Sequence, residues 1–188
     1  MWNTTLKGTG YIVEDTSNHI EDKFADYKPD MVLKHEEIGE DAWRVEIQKL
    51  PAIEDGKERA KHAARVALAW NTSIVEVKLK PVDDPFGQGT DVGWSKGYLN
   101  AILKYVIEMF LREHRECVYM AFIAGSRARL MRWDRCGVVV TEAFDYIKDP
   151  TDLVNFFCFL ATSSREVQGF DTFMAPATKG QDDEGTGS

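Results

Sequence analysis

The chain has 188 residues, of which 44% are hydrophobic and 11% aromatic, and its formal net charge is −8. This length and apolar content suffice for one domain with a hydrophobic core, which excludes a disordered chain. The negative charge disfavours a general nucleic-acid binder, because affinity for phosphate backbones comes from clustered Lys and Arg.

Segments that would direct the chain to a membrane or to secretion are not evident in the sequence. There is no apolar run of about eighteen residues, and the first residues lack a basic region followed by an apolar one. The three cysteines, Cys117, Cys136 and Cys158, show no C-x-x-C spacing, so neither a disulfide framework nor a zinc site is indicated. We expect an intracellular protein, in the cytoplasm or the nucleus, without a membrane partner.

The first part of the chain predicts two helices and two strands. After an N-terminal extension, residues 1–16, we expect a helix over 17–26, with capping chemistry at Ser17 and Glu21, and a strand over 30–33. Residues 43–47 are consistent with a further strand or an extended linker. Residues 57–70 are rich in Ala, Arg and Lys without Gly or Pro, which favours a helix.

Residues 73–80 predict a strand that carries charged side chains on one face. Ile74, Glu76 and Lys78 alternate with apolar residues, and side chains on a strand point to opposite faces in turn. Glu76 and Lys78 therefore share a face. If the strand that carries Asp30 pairs beside this one, two carboxylates and an ammonium group meet at one place on the sheet.

Such a cluster suits a hard cation, since Mg²⁺ prefers oxygen ligands and keeps several of its waters. The three residues resemble the constellation of the PD-(D/E)XK nuclease fold. The resemblance implies that Asp30 and Glu76 are ligands of Mg²⁺ or Mn²⁺ and that Lys78 orients or helps to deprotonate a water. Glu21 and Tyr105 are candidate accessory residues. The alternative interpretation is a solvated Glu–Lys pair on a structural sheet.

The second part of the chain predicts a loop, a long helix, three strands and a final helix. The loop covers 81–93, and the amphipathic helix 96–114 is able to cover one sheet face. Strands over 118–124, 128–133 and 137–141 form an antiparallel meander, and a helix runs from 149 or 151 to 161. Residues 176–188 are polar and are expected to be disordered. The predicted fold class is α/β (α+β), a mixed central sheet with a meander, flanked by helices.

Basic residues concentrate in one region of this acidic chain. Residues 96–135 contain eight Lys and Arg against four Asp and Glu, a local charge of +4. The candidates for binding a phosphate or an acidic partner are Arg127, Arg129, Arg132 and Arg135. The alternative is a solvated sheet face. Trp133 in the same region is predicted to belong to the core.

One block of the sequence resembles a known family. Residues 127–146 contain Arg-Leu-x-Arg-Trp-Asp-Arg at 129–135, and Gly169-Phe170-Asp171 followed by Ala175-Pro176-Ala177 comes later. In this order the segments resemble the fungal-type protein kinases. The resemblance implies that 17–175 is a nuclease-like domain of that family, from the region that precedes the kinase core.

Kinase chemistry needs a glycine-rich loop, a strand lysine, an H-R-D loop and a D-F-G site. Here Gly87-Gln88-Gly89 follows Lys78 instead of preceding it, and a proline interrupts Asp84-Pro85-Phe86-Gly87. We therefore expect no phosphotransfer by this chain alone. Three hypotheses remain: a non-catalytic recognition or regulatory module that contacts a protein or a kinase domain, a metal-dependent nuclease, and a protein-interaction domain without a metal site.

Overall fold

A computed structural model describes residues 2–16, 29–36, 71–87, 96–112 and 114–173 of the chain. Four predicted segments lie outside these residues: the helix over 17–26 with Glu21, the strand over 43–47, the helix over 57–70 and the tail 176–188. The second half of the predicted loop 81–93 also lies outside them.

The described residues form a mixed sheet with helices on both faces, which confirms the predicted α/β class. The elements in chain order are α1 (Trp2–Thr5), β1 (Tyr11–Asp15), β2 (Met31–His35), β3 (Asn71–Lys78), a 3₁₀ turn (Pro81–Asp83), α2 (Lys96–Arg112), β4 (Cys117–Ala124), β5 (Arg127–Asp134), β6 (Gly137–Val140), β7 (Phe144–Asp145) and α3 (Thr151–Thr162). The spatial order of the strands is β1-β2-β3-β4-β5-β6, and β7 pairs with β5 beside β6.

The pairing around β3 differs on its two sides. β2 runs antiparallel to β3, with Met31 opposite Val75. β4 runs parallel to β3, with Glu76 opposite Phe122. A parallel neighbour requires a crossover connection, and α2 lies within it. β3 is therefore an interior strand, and its carboxyl end lies where the chain leaves the sheet toward α2.

The predicted meander is confirmed. β4 pairs antiparallel with β5 over their full lengths, from Cys117 opposite Asp134 to Ala124 opposite Arg127. β5 in turn pairs antiparallel with β6. Gly125 at the turn between β4 and β5 has a φ of +60°, a conformation that glycine adopts without a steric penalty.

Two apolar layers hold the helices against the sheet. On one face α2 packs over β3, β4 and β5, and that layer includes Ile74, Met109 and Trp133. On the other face α3 packs with Val75 and Leu33. Trp133 is 6% exposed, which confirms its predicted place in the core. Because Ile74 and Val75 belong to opposite layers, the alternation predicted for β3 is also confirmed.

The two ends of the described chain are held in different ways. Within residues 2–16, predicted to be an extension, β1 pairs with β2, and Leu6 is buried against the α3 layer. Near the other end, Arg115 and Phe170 form an isolated antiparallel bridge. No helix in the described part of the chain is long and apolar enough to cross a membrane.

Candidate metal centre

Asp30 is fixed at the start of β2 by the backbone of β3. The amide of Val77 donates a hydrogen bond to Asp30 Oδ2 at 2.7 Å. The antiparallel register, which pairs Met31 with Val75, brings Asp30 beside residues 76 and 77. The predicted pairing of the Asp30 segment with the Glu76 strand is therefore present.

Lys78 joins the two carboxylates. Its ammonium group donates a hydrogen bond to Glu76 Oε1 and lies 3.8 Å from Asp30 Oδ2. All three side chains predicted from the sequence thus meet near the carboxyl end of β3. This meeting is a fact of geometry; the roles of the three residues in metal binding and catalysis stay predictions.

Glu76 is an unusual residue to find in this position. It is only 4% exposed, and its Oε2 atom is buried without a hydrogen-bond partner in the described structure. Burial raises the pKa of the Glu76 carboxyl above its ordinary value, and the negative charge of Asp30 raises the pKa further against the opposing effect of Lys78. A buried carboxylate oxygen without a partner costs free energy, and a bound cation would offset that cost.

The neighbouring carboxylates keep the Lys78 ammonium group protonated in this structure. Burial alone would lower the pKa of the Lys78 ammonium group, but the hydrogen bond and charge of Glu76, with the charge of Asp30, outweigh burial and raise the pKa above 10.5. Lys78 is therefore a cation at neutral pH.

The donor set fits a hard divalent ion. Magnesium is usually bound by one or two carboxylates, with water and phosphate oxygens completing its shell. Asp30 and Glu76 supply that number. Among the residues described, no group of three or more His, Cys, Asp or Glu side chains is placed to hold a metal.

Tyr98 is a neighbour of the site that the sequence analysis missed. It lies in the first turn of α2, and its ring centroid is 5.4 Å from Lys78 Nζ, within the range of a cation–π contact. Tyr98, Ile102 and Tyr105 follow one another at helical spacing, so Tyr98 extends the stripe of α2 that packs on the sheet. This helical spacing is the signal from which the sequence could have placed Tyr98 beside the site.

The two candidate accessory residues have different outcomes. Tyr105 is 5% exposed and belongs to the apolar layer between α2 and the sheet. Glu21 lies outside the described residues. Ala101 occupies the helix position where nucleases of the PD-(D/E)XK type often carry a glutamine, so α2 offers no amide there.

The four candidate arginines do not share one surface. Arg129 is 7% exposed and belongs to the α2 face, where its guanidinium group donates to Asp84 Oδ2 at 2.7 Å, to the Thr141 carbonyl at 2.9 Å and to the Phe86 carbonyl at 3.0 Å. Arg132 lies opposite Tyr119, a residue of the α3 layer, and is paired with Asp134.

The remaining two arginines are exposed and lie at the two ends of β5. Arg127 donates to the Ala143 carbonyl at 2.9 Å, and the guanidinium group of Arg135 lies 5.9 Å from the Phe110 ring. The set therefore combines a buried structural arginine with three separate surface residues.

A buried arginine outside that set organises the start of β3. Arg115 is 1% exposed and donates to the Asn71 carbonyl at 2.5 Å and the Thr72 carbonyl at 3.3 Å. Its guanidinium group stacks on the Phe170 ring at 3.9 Å. Gly169, next to Phe170, lies so close to β4 that a Cβ there would be 2.2 Å from the Cys117 carbonyl oxygen.

Comparison with known protein families identifies a match that covers the described segments from β3 onward. A family profile described as fungal protein kinase matches residues 56–185, which include Glu76, Lys78, the meander and Gly169-Phe170. No curated protein and no solved structure matches the chain. Because the matched region is more than half of the 188 residues, this chain belongs to the fungal protein kinase family.

Proposed function

We propose that this member of the fungal protein kinase family carries a site of the PD-(D/E)XK type, which hydrolyses phosphodiester bonds of nucleic acid with Mg²⁺ or Mn²⁺. The observation that supports the proposal is the meeting of Asp30, Glu76 and Lys78 near the end of β3, with Glu76 Oε2 buried and without a hydrogen-bond partner in the described residues.

Each residue of the site has a separate role in this proposal. Asp30 and Glu76 hold the ion, and the Val77 amide keeps the Asp30 carboxylate oriented. When bound, the ion lowers the pKa of a water and neutralises charge that develops on the phosphate. Glu76 offers Oε2 while Oε1 remains with Lys78.

Lys78 acts as a cation in this proposal. Its ammonium group donates a hydrogen bond to Glu76 Oε1, and the charges of Glu76 and Asp30 raise the pKa of Lys78 in this structure. As a donor, Lys78 orients the attacking water or stabilises negative charge on the phosphate oxygens. Deprotonation of the water is the other role that the sequence leaves open for this lysine.

The second candidate function is a non-catalytic recognition or regulatory module, whose partner is a protein or a kinase domain. Two observations favour it. Ala101 stands where nucleases of the PD-(D/E)XK type often carry a glutamine, and the Arg129 guanidinium group is held within the protein by Asp84 and two carbonyl oxygens. In this hypothesis the same carboxylates and lysine bind without turnover.

A cleavage assay distinguishes the two candidates. Labelled DNA and RNA are incubated with the wild-type chain, with Lys78→Met and with Lys104→Met, a matched loss of one charge at an exposed position of α2. We expect metal-dependent cleavage that falls about 100-fold or more in Lys78→Met and is unchanged in Lys104→Met. Equal cleavage by both variants would contradict the proposal, and a wild-type chain without cleavage would leave the recognition module.

A further inference from the structure

Two large apolar side chains are exposed directly after the candidate metal centre. The segment Leu79–Gly87, which we call the post-strand loop, begins at the residue after Lys78. Leu79 is 90% exposed and Val82 is 70% exposed. Consecutive Cα atoms are about 3.8 Å apart, so Leu79 begins within one residue of the site. These two side chains contribute little to the core and are available to a ligand.

The first half of the post-strand loop is fixed by the turn between β4 and β5. The Gly125 amide donates to the Lys78 carbonyl at 2.9 Å. Pro81 packs so closely on Gly125 that a Cβ at this glycine would lie 2.9 Å from the proline ring. Leu79 is therefore held between two anchored residues, Lys78 and Pro81.

The second half of the loop is fixed by Asp84 and Arg129. Asp84 Oδ1 accepts a hydrogen bond from the Phe86 amide at 2.9 Å, and Asp84 Oδ2 accepts one from Arg129 Nε at 2.7 Å. Arg129 also donates to the Phe86 carbonyl. The arginine predicted to bind phosphate thus supports the loop through hydrogen bonds within the protein.

Ordering an element in advance reduces the entropy that binding must overcome. A fixed loop that exposes Leu79 and Val82 beside a phosphate-directed site suits a ligand with apolar faces next to its phosphates. Nucleic acid is such a ligand, and apolar side chains are known to insert as wedges between its base steps. Lys80, which is exposed between the two, adds a positive charge for the backbone.

We propose that the post-strand loop is the substrate-binding element of the same site, with Leu79 and Val82 in contact with the bases of a nucleic-acid duplex whose phosphate lies at Asp30, Glu76 and Lys78. This inference rests on the proposed function and adds to it the substrate class, a duplex in which one base step can be unstacked.

The test compares the double variant Leu79→Ser/Val82→Ser with Ile147→Ser, a substitution at a 66% exposed residue between β7 and α3. Duplexes that contain 2-aminopurine report base unstacking by fluorescence. Binding is measured with Ca²⁺, a hard cation of looser geometry, and turnover is measured separately with Mg²⁺. Thermal unfolding confirms that both variants fold.

We expect the double variant to bind the duplex about tenfold more weakly or worse and to lose the fluorescence increase. In turnover, KM should rise while kcat at saturating duplex is unchanged. Ile147→Ser should match the wild-type chain in every measurement.

The outcomes separate this inference from the proposed hydrolysis. Cleavage with equal KM and fluorescence in both variants would overturn the role of the loop and leave hydrolysis standing. Loop-dependent binding without wild-type cleavage would support the loop and refute hydrolysis. A wild-type chain that does not bind duplexes would overturn the role of the loop, and the cleavage of single-stranded DNA and RNA would then decide whether hydrolysis stands.

Discussion

Replacing Arg129 by methionine tests whether this arginine supports the fold or binds a ligand. The side chain is 7% exposed and makes three hydrogen bonds, one of them to the partly buried Asp84 carboxylate. Its loss leaves a carboxylate and two carbonyl oxygens without their donor. Removing one partner of a buried ion pair typically costs about 3 to 5 kcal/mol, because the other charge stays buried.

The assays are thermal unfolding and urea unfolding, both monitored by tryptophan fluorescence. For a chain of this size, the expected cost corresponds to a lowering of Tm by about 6 to 20 °C. The control is Arg132→Met, since the Arg132 side chain is 45% exposed and a solvent-exposed ion pair such as the one with Asp134 contributes little to stability. An Arg129→Met variant as stable as the Arg132→Met control, with an unchanged m-value, would refute the structural role and restore Arg129 as a ligand-binding candidate.

Three further predictions concern the site and its scaffold. In the presence of a chelator, Glu76→Gln should gain stability relative to the wild-type chain as the pH rises from about 4.5. A raised pKa means that the native wild-type chain holds this proton more tightly than the unfolded chain does, so loss of the proton destabilises the native state. Urea unfolding curves at several pH values check this, and a difference in stability that does not change with pH would contradict it. Tyr98→Leu should lower the cleavage rate and Tyr98→Phe should restore it, because the ring centroid lies 5.4 Å from Lys78 Nζ, within the range of a cation–π contact. A Phe variant as impaired as the Leu variant would assign the effect to the hydroxyl. Gly169→Ala should strongly destabilise the fold, since the φ of Gly169 is +94° and a Cβ would collide with the Cys117 carbonyl. An unfolding midpoint of the variant equal to that of the wild-type chain would contradict this prediction.

The sequence predicts the meeting of Asp30, Glu76 and Lys78 better than it predicts the residues around them. Alternation along β3 was enough to place Glu76 and Lys78 on one face, because a strand has a period of two. The position of Asp30 followed once the two strands were assumed to pair. Neither step required knowledge of the residues between the strands, which lie outside the described structure.

Other features depended on packing that no local pattern encodes. Arg129 and Arg132 look alike in the sequence, yet three residues apart on a strand they face opposite layers, and only Arg129 meets Asp84. Within residues 2–16 the only strand signal is the short run Tyr11-Ile12-Val13, and β1 is identified by its pairing with β2. Tyr98 required the crossover geometry that brings α2 over the end of β3.

Calorimetric titration of Mn²⁺ into the wild-type chain and the Asp30→Asn/Glu76→Gln variant tests the central claim most directly. The control is Glu116→Gln, which removes one exposed carboxylate away from the site. We expect one ion to bind to the wild-type and control chains and none to the double variant, because Asp30 and Glu76 are the proposed ligands. Equal binding by all three chains, or no binding by the wild-type chain, would contradict the metal centre.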